Sequence, residues 1–180
     1  IDEKIDAICH MFSAEPTKVG DVYDINYIAN KGLVSSKNGK IYGVTQKAIQ
    51  VKSGDNLKVT NQSGGLIRAG VLNSTTDTEI NAILIWGLSS DSSEYSIIEN
   101  YGTITAARNT VKAGAYSDIT TITNYSGGVI SNTDDDGEKA AIRIDGNNVT
   151  LTNKGIISGT NTSHSIEIGG DSAPTGTKIY

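Results

Sequence analysis

Few side chains of this 180-residue sequence have the type and spacing that chemistry requires. Ser172 lies in the turn-like Gly170-Asp171-Ser172, but a nucleophilic serine needs an activating base, and only eight residues follow it. The acidic run 134–138 offers the oxygen atoms that calcium prefers, yet it lacks the alternating ligand spacing of a calcium loop. We interpret these segments as a turn and a solvated loop, and we expect no catalytic residue in the chain.

Metal and cofactor binding receive equally little support. Cys9 is the single cysteine, and His10 and His164 lie far apart, so the usual paired zinc ligands are absent. The net charge of −5 disfavours nucleic acid as a partner. No apolar run reaches the roughly 18 residues of a membrane span. We therefore expect no cofactor, no metal, no nucleic-acid binding and no membrane insertion.

The amino-acid composition favours β-structure. Ile occurs 24 times against 7 for Leu, and 20 glycines accompany only 2 prolines. β-Branched side chains suit pleated, half-buried surfaces, and glycine permits the left-handed turns that join short strands. This composition disfavours an all-helical fold.

A repeated pattern explains this composition. Five segments contain an apolar residue, any residue, Asn, a glycine turn and a closing Ile or Val, as in Ile98-Glu-Asn100-Tyr-Gly102-Thr-Ile104. The first segment closes at Val34, at the position that Ile67 has in the second. Because apolar and polar residues alternate before the Asn, its side chain is predicted to point inward and to form a hydrogen-bonded ladder between coils. The predicted ladder comprises Asn30, Asn61, Asn100, Asn124 and Asn153.

A second motif, Ala-Ile-x-Ile-x-Gly with variants, alternates with the first at 48–51, 82–87, 110–114, 141–146 and 165–169. The two motifs together predict an all-β right-handed parallel β-helix, a single-stranded solenoid of about five to six coils over residues 22–180. Stacking would bury columns of isoleucine that no single repeat could bury alone. The two predicted columns are Ile49, Ile83, Ile142 and Ile166, and Ile67, Ile104, Ile130 and Ile157.

Residues 1–21 do not fit the repeat and form a separate N-terminal cap or tail. Ile1, Ile5, Ile8 and Phe12 recur at helical spacing, which predicts a short helix or coil that shields the first coil. A disordered tail is the alternative. At the other end, residues 177–180 are strand-like and carry no polar cap, which indicates a piece of a longer solenoid.

The residue after each predicted ladder Asn forms an outward column. Tyr101 and Tyr125 fall in this column on consecutive coils, which are about 4.8 Å apart in a parallel sheet. Such an exposed aromatic pair could pack against a sugar or a protein partner, with Glu99 beside it, so these three residues are the candidate ligand-binding site. Stacking of the tyrosines on each other, without a ligand, is the alternative.

The tandem Ala-Ile-x-Ile-x-Gly and Asn-x-Gly-x-Ile units of residues 22–169 resemble the passenger domains of bacterial autotransporters. The resemblance implies a non-catalytic, monomeric fragment, secreted or exposed on the outer membrane of a Gram-negative bacterium. It implies an adhesin or virulence factor that mediates host-cell or cell–cell binding through a host-cell receptor, matrix or glycan. The polar loops 73–80 and 88–95 are candidate recognition segments.

Two other functions stay open. Polysaccharide-active β-helices, such as tailspikes and lyases, collect paired carboxylates from neighbouring coils. Outward residues here include Glu99, Arg143, Asp145 and Glu167, which mix both charges. The third possibility is a structural spacer that holds another domain away from the cell surface.

Overall fold

The computed structural model describes residues 17–19, 22–24, 33–36, 40–43, 47–52, 57–69, 80–86, 95–115, 119–133, 139–169 and 174–180. These residues form strands, turns and bends, and no helix occurs among them. The predicted all-β class is therefore confirmed for this part of the chain. The predicted N-terminal helix over residues 1–13 lies outside it.

Eighteen strands are described, most of them three to six residues long. They are β1 (Thr17–Val19), β2 (Val22–Asp24), β3 (Leu33–Ser36), β4 (Lys40–Gly43), β5 (Lys47–Lys52), β6 (Leu57–Asn61), β7 (Leu66–Ala69), β8 (Asn81–Trp86), β9 (Ser96–Asn100), β10 (Thr103–Ala106), β11 (Val111–Ala113), β12 (Thr120–Asn124), β13 (Val129–Asn132), β14 (Ala140–Ile144), β15 (Thr150–Asn153), β16 (Ile156–Ser158), β17 (His164–Ile168) and β18 (Lys178–Ile179).

The strands belong to three sheets, and from β3 onward every third strand joins the same sheet. Sheet A has the order β1-β2-β4-β7-β10-β13-β16, sheet B the order β17-β14-β11-β8-β5, and sheet C the order β18-β15-β12-β9-β6-β3. Neighbouring strands in these sheets are parallel, except that β1 pairs antiparallel with β2. Each passage of the chain through C, A and B thus adds one strand to every sheet, which is the stacking that the repeats predict.

Strand register aligns the predicted isoleucine columns. Ile104 pairs with Ile67 on one side and with Ile130 on the other, and Ile130 pairs with Ile157. In sheet B, Val111 stands between Ile83 and Ile142, where the sequence pattern also placed it. The side chains of these columns are buried or, at Ile157 and Ile166, packed against the core. Each fully buried isoleucine contributes about 1.5–3 kcal/mol, so the columns are the main source of stability.

The first repeat is in a different register from the one predicted. Val34 pairs with Val59 of sheet C, and Ile41 is the residue that pairs with Ile67. The assignment of Val34 to the Ile67 column was therefore wrong. The Asn-x-Gly signal is short, and Asn38-Gly39 between β3 and β4 matches it nearly as well as residues 30–32 do. Register follows the apolar alternation of whole strands, which the short motif does not capture.

Candidate functional site

The turns between sheets C and A have two lengths, and each length needs glycine for its own reason. In the long turns, Gly64 and Gly127 adopt φ values of 79° and 84°, which residues with a Cβ atom rarely adopt. In the short turns, backbone carbonyls approach closely: a Cβ atom on Gly102 would lie 2.4 Å from the carbonyl oxygen of Gly65. These glycines fix the path of the chain immediately beside the candidate site.

An asparagine ladder runs through these turns. Asn61 Nδ2 donates to Asn100 Oδ1 at 2.8 Å, and Asn100 Nδ2 donates to Asn124 Oδ1 at 2.8 Å. Asn124 Nδ2 then donates to Asn153 Oδ1 at 2.9 Å. The first three side chains are completely buried, whereas Asn153 is exposed at the end of the ladder. Each rung also satisfies backbone carbonyls of its own turn and of the next coil, as Asn100 does with Gly102 and Val129.

The ladder has an unsatisfied end at Asn61. Its buried Oδ1 atom has no hydrogen-bond donor among the described residues. Strand register places Ser36 opposite Asn61, at the position of the next rung. Asn30, the predicted first rung, lies outside the described residues.

Backbone hydrogen bonds hold the residues that follow the ladder in a regular outward column. Tyr101 N donates to the carbonyl of Asn61 at 2.7 Å, and Tyr125 N donates to that of Asn100 at 2.8 Å. Lys154 N continues the series with the carbonyl of Asn124 at 2.7 Å. We call Gln62, Tyr101, Tyr125 and Lys154 the tyrosine column.

The two tyrosines of this column stack on each other. Their ring centroids are 4.1 Å apart and the ring planes differ by 5°. Isolated aromatic pairs prefer offset or edge-to-face geometries, so the parallel arrangement reflects the positions that the coils impose. Tyr101 is 37% exposed and Tyr125 is half-buried. Each ring therefore uses one face on its partner, and the ring edges and hydroxyl groups remain at the surface.

The neighbouring Tyr125 side chain also changes the acidity of Tyr101. The pKa of its phenol is raised above the ordinary value of 10.0, first by a hydrogen bond with the Tyr125 side chain and next by burial. The negative charges that Tyr125 and Glu99 can carry raise this pKa further. Tyr101 is thus a neutral hydrogen-bonding group at physiological pH and is poorly suited to act as a base.

Glu99 lies on the same outer face but is already paired. Its Oε2 atom lies 2.9 Å from Lys58 Nζ and accepts a hydrogen bond from Thr60 Oγ1 at 3.2 Å. Both partners belong to β6, which pairs in parallel with the strand of Glu99 on the outer face of sheet C. This carboxylate is therefore a fixed polar group of the outer face. It would have to leave Lys58 before it could act as a general acid.

A row of hydroxyl groups extends this outer face. Thr121 pairs in register with Thr150, and Thr123 pairs with Thr152, so four half-buried threonines form a two-by-two array beside the tyrosine column. Ile97 and Glu99 occupy the equivalent positions on β9. The face therefore combines methyl groups, hydroxyl groups and aromatic edges at regular spacings.

A second polar cluster lies on sheet B. Arg143 Nε donates to both carboxylate oxygens of Asp145 at 3.0 and 3.1 Å, and Arg143 also approaches Glu167 at 3.6 Å. Lys112 Nζ lies 4.0 Å from Asp145. Asp145 was predicted to be an outward residue, and it is only 4% exposed because it lies against Lys112 and Arg143. The opposite charges at Arg143 and Asp145, two residues apart on a strand, were the sequence signal for this pair.

Of the carboxylates considered for a polysaccharide-cleaving site, Asp145 and Glu167 share Arg143 on sheet B as an ion-pair partner, whereas Glu99 lies apart from them on sheet C. Glu99 belongs to β9 of sheet C, whereas Asp145 follows β14 of sheet B, and each is bound to a cation of its own sheet. Within the described ranges, no group of three or more His, Cys, Asp and Glu side chains could hold a metal ion. Ser172, the acidic run 134–138 and most of the loops 73–80 and 88–95 lie outside those ranges.

No match to this chain was found among protein-family models, curated proteins or solved structures. In the described part of the chain, no helix has the length and apolar character needed to span a membrane. The evidence on function therefore comes from the fold, from the outer face of sheet C with the tyrosine column, and from the polar cluster on sheet B.

Proposed function

We propose that the three sheets close into a right-handed parallel β-helix and that this helix is a non-catalytic binding scaffold. The repeated C-A-B strand order and the in-register asparagine ladder support closure, since a single coil contributes to all three sheets in turn. Right-handed connections between parallel strands of one sheet are the strong general preference, which supports the handedness.

The observation that carries the binding proposal is the outer face of sheet C with the tyrosine column. Its backbone is held by the ladder and by regular interstrand hydrogen bonds, so its side chains are presented without a large ordering cost. Tyrosine edges, hydroxyl groups and aliphatic groups are the mixture that recognition surfaces use. The groups suited to acid–base catalysis, Glu99 and Asp145, are instead engaged with Lys58 and Arg143.

We propose further that the chain is a fragment of an autotransporter passenger, secreted or displayed on a Gram-negative surface. On this proposal it acts as an adhesin or virulence factor and its partner is a host-cell receptor, matrix component or glycan. The repeat units of residues 22–169 support this assignment through their resemblance to such passengers.

A binding assay with matched variants tests the proposal. The labelled protein is applied to cultured epithelial cells and to immobilised matrix proteins, and it is compared with a Tyr101→Ala/Tyr125→Ala double variant. Ile156→Ala is the control, since Ile156 is an exposed apolar side chain, at 59%, on β16 of sheet A and therefore away from this face. We expect the double variant to lose at least about tenfold in affinity, equivalent to about 1.4 kcal/mol, and the control to bind like the original protein.

Three results would contradict the proposal. Equal binding by all three proteins would remove the tyrosine column from recognition, and absence of binding to every surface would count against an adhesive role. Release of oligosaccharides from a panel of polysaccharides would show that the protein is an enzyme and not only a binding scaffold. Deletion of residues 88–95 provides a separate test of the loop that was predicted to contribute.

A further inference from the structure

The stacked tyrosines have a geometry that suits a covalent reaction between them. Tyr101 and Tyr125 follow paired residues of β9 and β12, so the two side chains leave the backbone at equivalent positions. Their ring centroids are 4.1 Å apart with nearly parallel planes. The two phenol rings are therefore in contact through one face of each, within reach of a bond between them.

We propose that Tyr101 and Tyr125 form an oxidative cross-linking site, at which a peroxidase-type one-electron oxidant joins them as dityrosine. Each phenol loses one electron and one proton to give a phenoxyl radical. The two radicals form one carbon–carbon bond between their ortho positions, and each coupled carbon then passes its proton to its own oxygen, which restores both phenols. The two electrons and two protons removed reduce one hydrogen peroxide to two waters, so the reaction balances.

The surroundings of the pair favour coupling within one molecule. Tyr101 is 37% exposed, so an oxidant can accept an electron at the surface, while Tyr125 is close enough to trap the radical before another chain arrives. Holding two reacting groups in contact converts a bimolecular step into an intramolecular one with a large gain in effective concentration. Tyr180 is 69% exposed and would instead react between molecules.

The cross-link would join two consecutive coils at their outer corner. The bond would connect the turn after β9 to the turn after β12, where the asparagine ladder already holds the coils together by hydrogen bonds. Because a cross-link restricts the unfolded chain, it would raise resistance to unfolding. Oxidation by peroxide would in this way convert the non-covalent stack of the two tyrosines into a covalent link.

The test oxidises the purified protein, at a concentration low enough to suppress dimers, with a plant peroxidase and a limiting amount of hydrogen peroxide. Formation of the cross-link is measured by dityrosine fluorescence and by loss of two hydrogens from the intact monomer mass. Tryptic peptides 69–108 and 113–139 each contain a second tyrosine, so the mapping uses a Tyr95→Phe/Tyr116→Phe background. N-acetyltyrosine, oxidised in a parallel tube, confirms that the oxidant is active.

We expect monomeric product in which these two peptides are joined, together with a higher urea midpoint after oxidation. Tyr125→Phe should abolish the monomeric product, and Tyr180→Phe should retain it. Circular dichroism verifies that each variant is folded. The proposal is overturned if Tyr125→Phe forms the monomeric product at the original yield, or if only dimers form. It is also overturned if N-acetyltyrosine couples while the pair does not, or if unfolding in urea leaves the yield of the 101–125 link unchanged.

Discussion

Removal of one interior rung of the asparagine ladder should destabilise the protein severely. The side chain of Asn100 takes part in five hydrogen bonds: three from Nδ2, to Gly102, Asn124 and Val129, and two to Oδ1, from Asn61 and the Gly102 amide. It is completely buried. Asn100→Ala removes all five at once at a position that solvent does not reach in the folded protein.

The magnitude follows from which partners are left unsatisfied. A hydrogen bond contributes a net of about 0.5–1.5 kcal/mol, and a buried polar atom without a partner costs about 1–3 kcal/mol. Asn61 Nδ2 would keep the carbonyl of Thr103 at 3.0 Å, but Asn124 Oδ1 would lose its rung donor. We therefore expect Asn100→Ala to lower the free energy of unfolding by about 3–5 kcal/mol.

Asn153→Ala is the matched control because it removes the same side chain at the exposed end of the same ladder. Asn153 Oδ1 accepts from Asn124 Nδ2 at 2.9 Å and from the Gly155 amide at 3.2 Å. Asn124 Nδ2 would retain the carbonyls of Gly128 and Ile156 after the substitution. The expected loss is about 1 kcal/mol, since solvent can satisfy the groups that are released.

Urea denaturation followed by circular dichroism provides the comparison, with the midpoint and the m value fitted for each protein. An unchanged m value would show that the variants unfold between the same states. If Asn100→Ala and Asn153→Ala differ by less than about 1 kcal/mol, the interior rung has no special role and the reasoning is refuted.

Three further predictions address the turns, the stack and the buried ion pair. Gly102→Ala should lower the free energy of unfolding by more than about 2 kcal/mol, because its Cβ atom would meet backbone carbonyl oxygens at 2.4 and 2.6 Å. Gly127→Ala has open space around its Cβ atom but a φ of 84°, and it should lower the free energy of unfolding by about 1 kcal/mol in the same urea assay. Tyr101 should ionise at a pH above 10.0 in an absorbance titration from which the titration of Tyr101→Phe is subtracted. Because the pKa is raised in the folded state, its contribution to the free energy of unfolding is present below pH 10.0 and is lost as the pH rises through the folded-state pKa. A Tyr125→Phe variant in which Tyr101 ionises at an unchanged pH would contradict the attribution of this shift to the Tyr125 hydroxyl group. Asp145→Asn should lower the thermal midpoint, because Arg143 Nε loses the charged carboxylate that it contacts at 3.0 and 3.1 Å, at a cost of about 3 kcal/mol. An unchanged midpoint would show that this pair does not stabilise the fold.

The parallel stacking could be predicted because the same side chains recur at equivalent places. Ile104 and Ile130 are recognisable as column members from sequence spacing, and their pairing follows from it. Asn100 and Asn124 were likewise recognisable because apolar residues alternate before them. Repetition of side-chain identity is a stronger signal than the propensity of any single strand.

The parts that could not be predicted depend on tertiary contacts between unlike residues. Val34 was assigned to the wrong column because one short motif resembles another, whereas register is decided by complete strands. The burial of Asp145 depends on how Arg143 folds over it, and a strand pattern alone does not contain this information. The stacking of Tyr101 on Tyr125 was one of two alternatives, and only the ring geometry shows which face of each ring is occupied.

The register of the parallel coils is the claim on which the ladder, the tyrosine column and both proposals depend. A cysteine pair at Thr105 and Ser131, which are register partners with their hydroxyl oxygens 3.3 Å apart, tests it in a Cys9→Ser background. Adjacent strands lie about 4.8 Å apart, within the range of Cα separations that disulfides span. With the register described above, Thr105→Cys/Ser131→Cys should form a disulfide rapidly, and the offset pair Thr105→Cys/Val129→Cys should form one slowly. Equal rates, or faster closure of the offset pair, would contradict it.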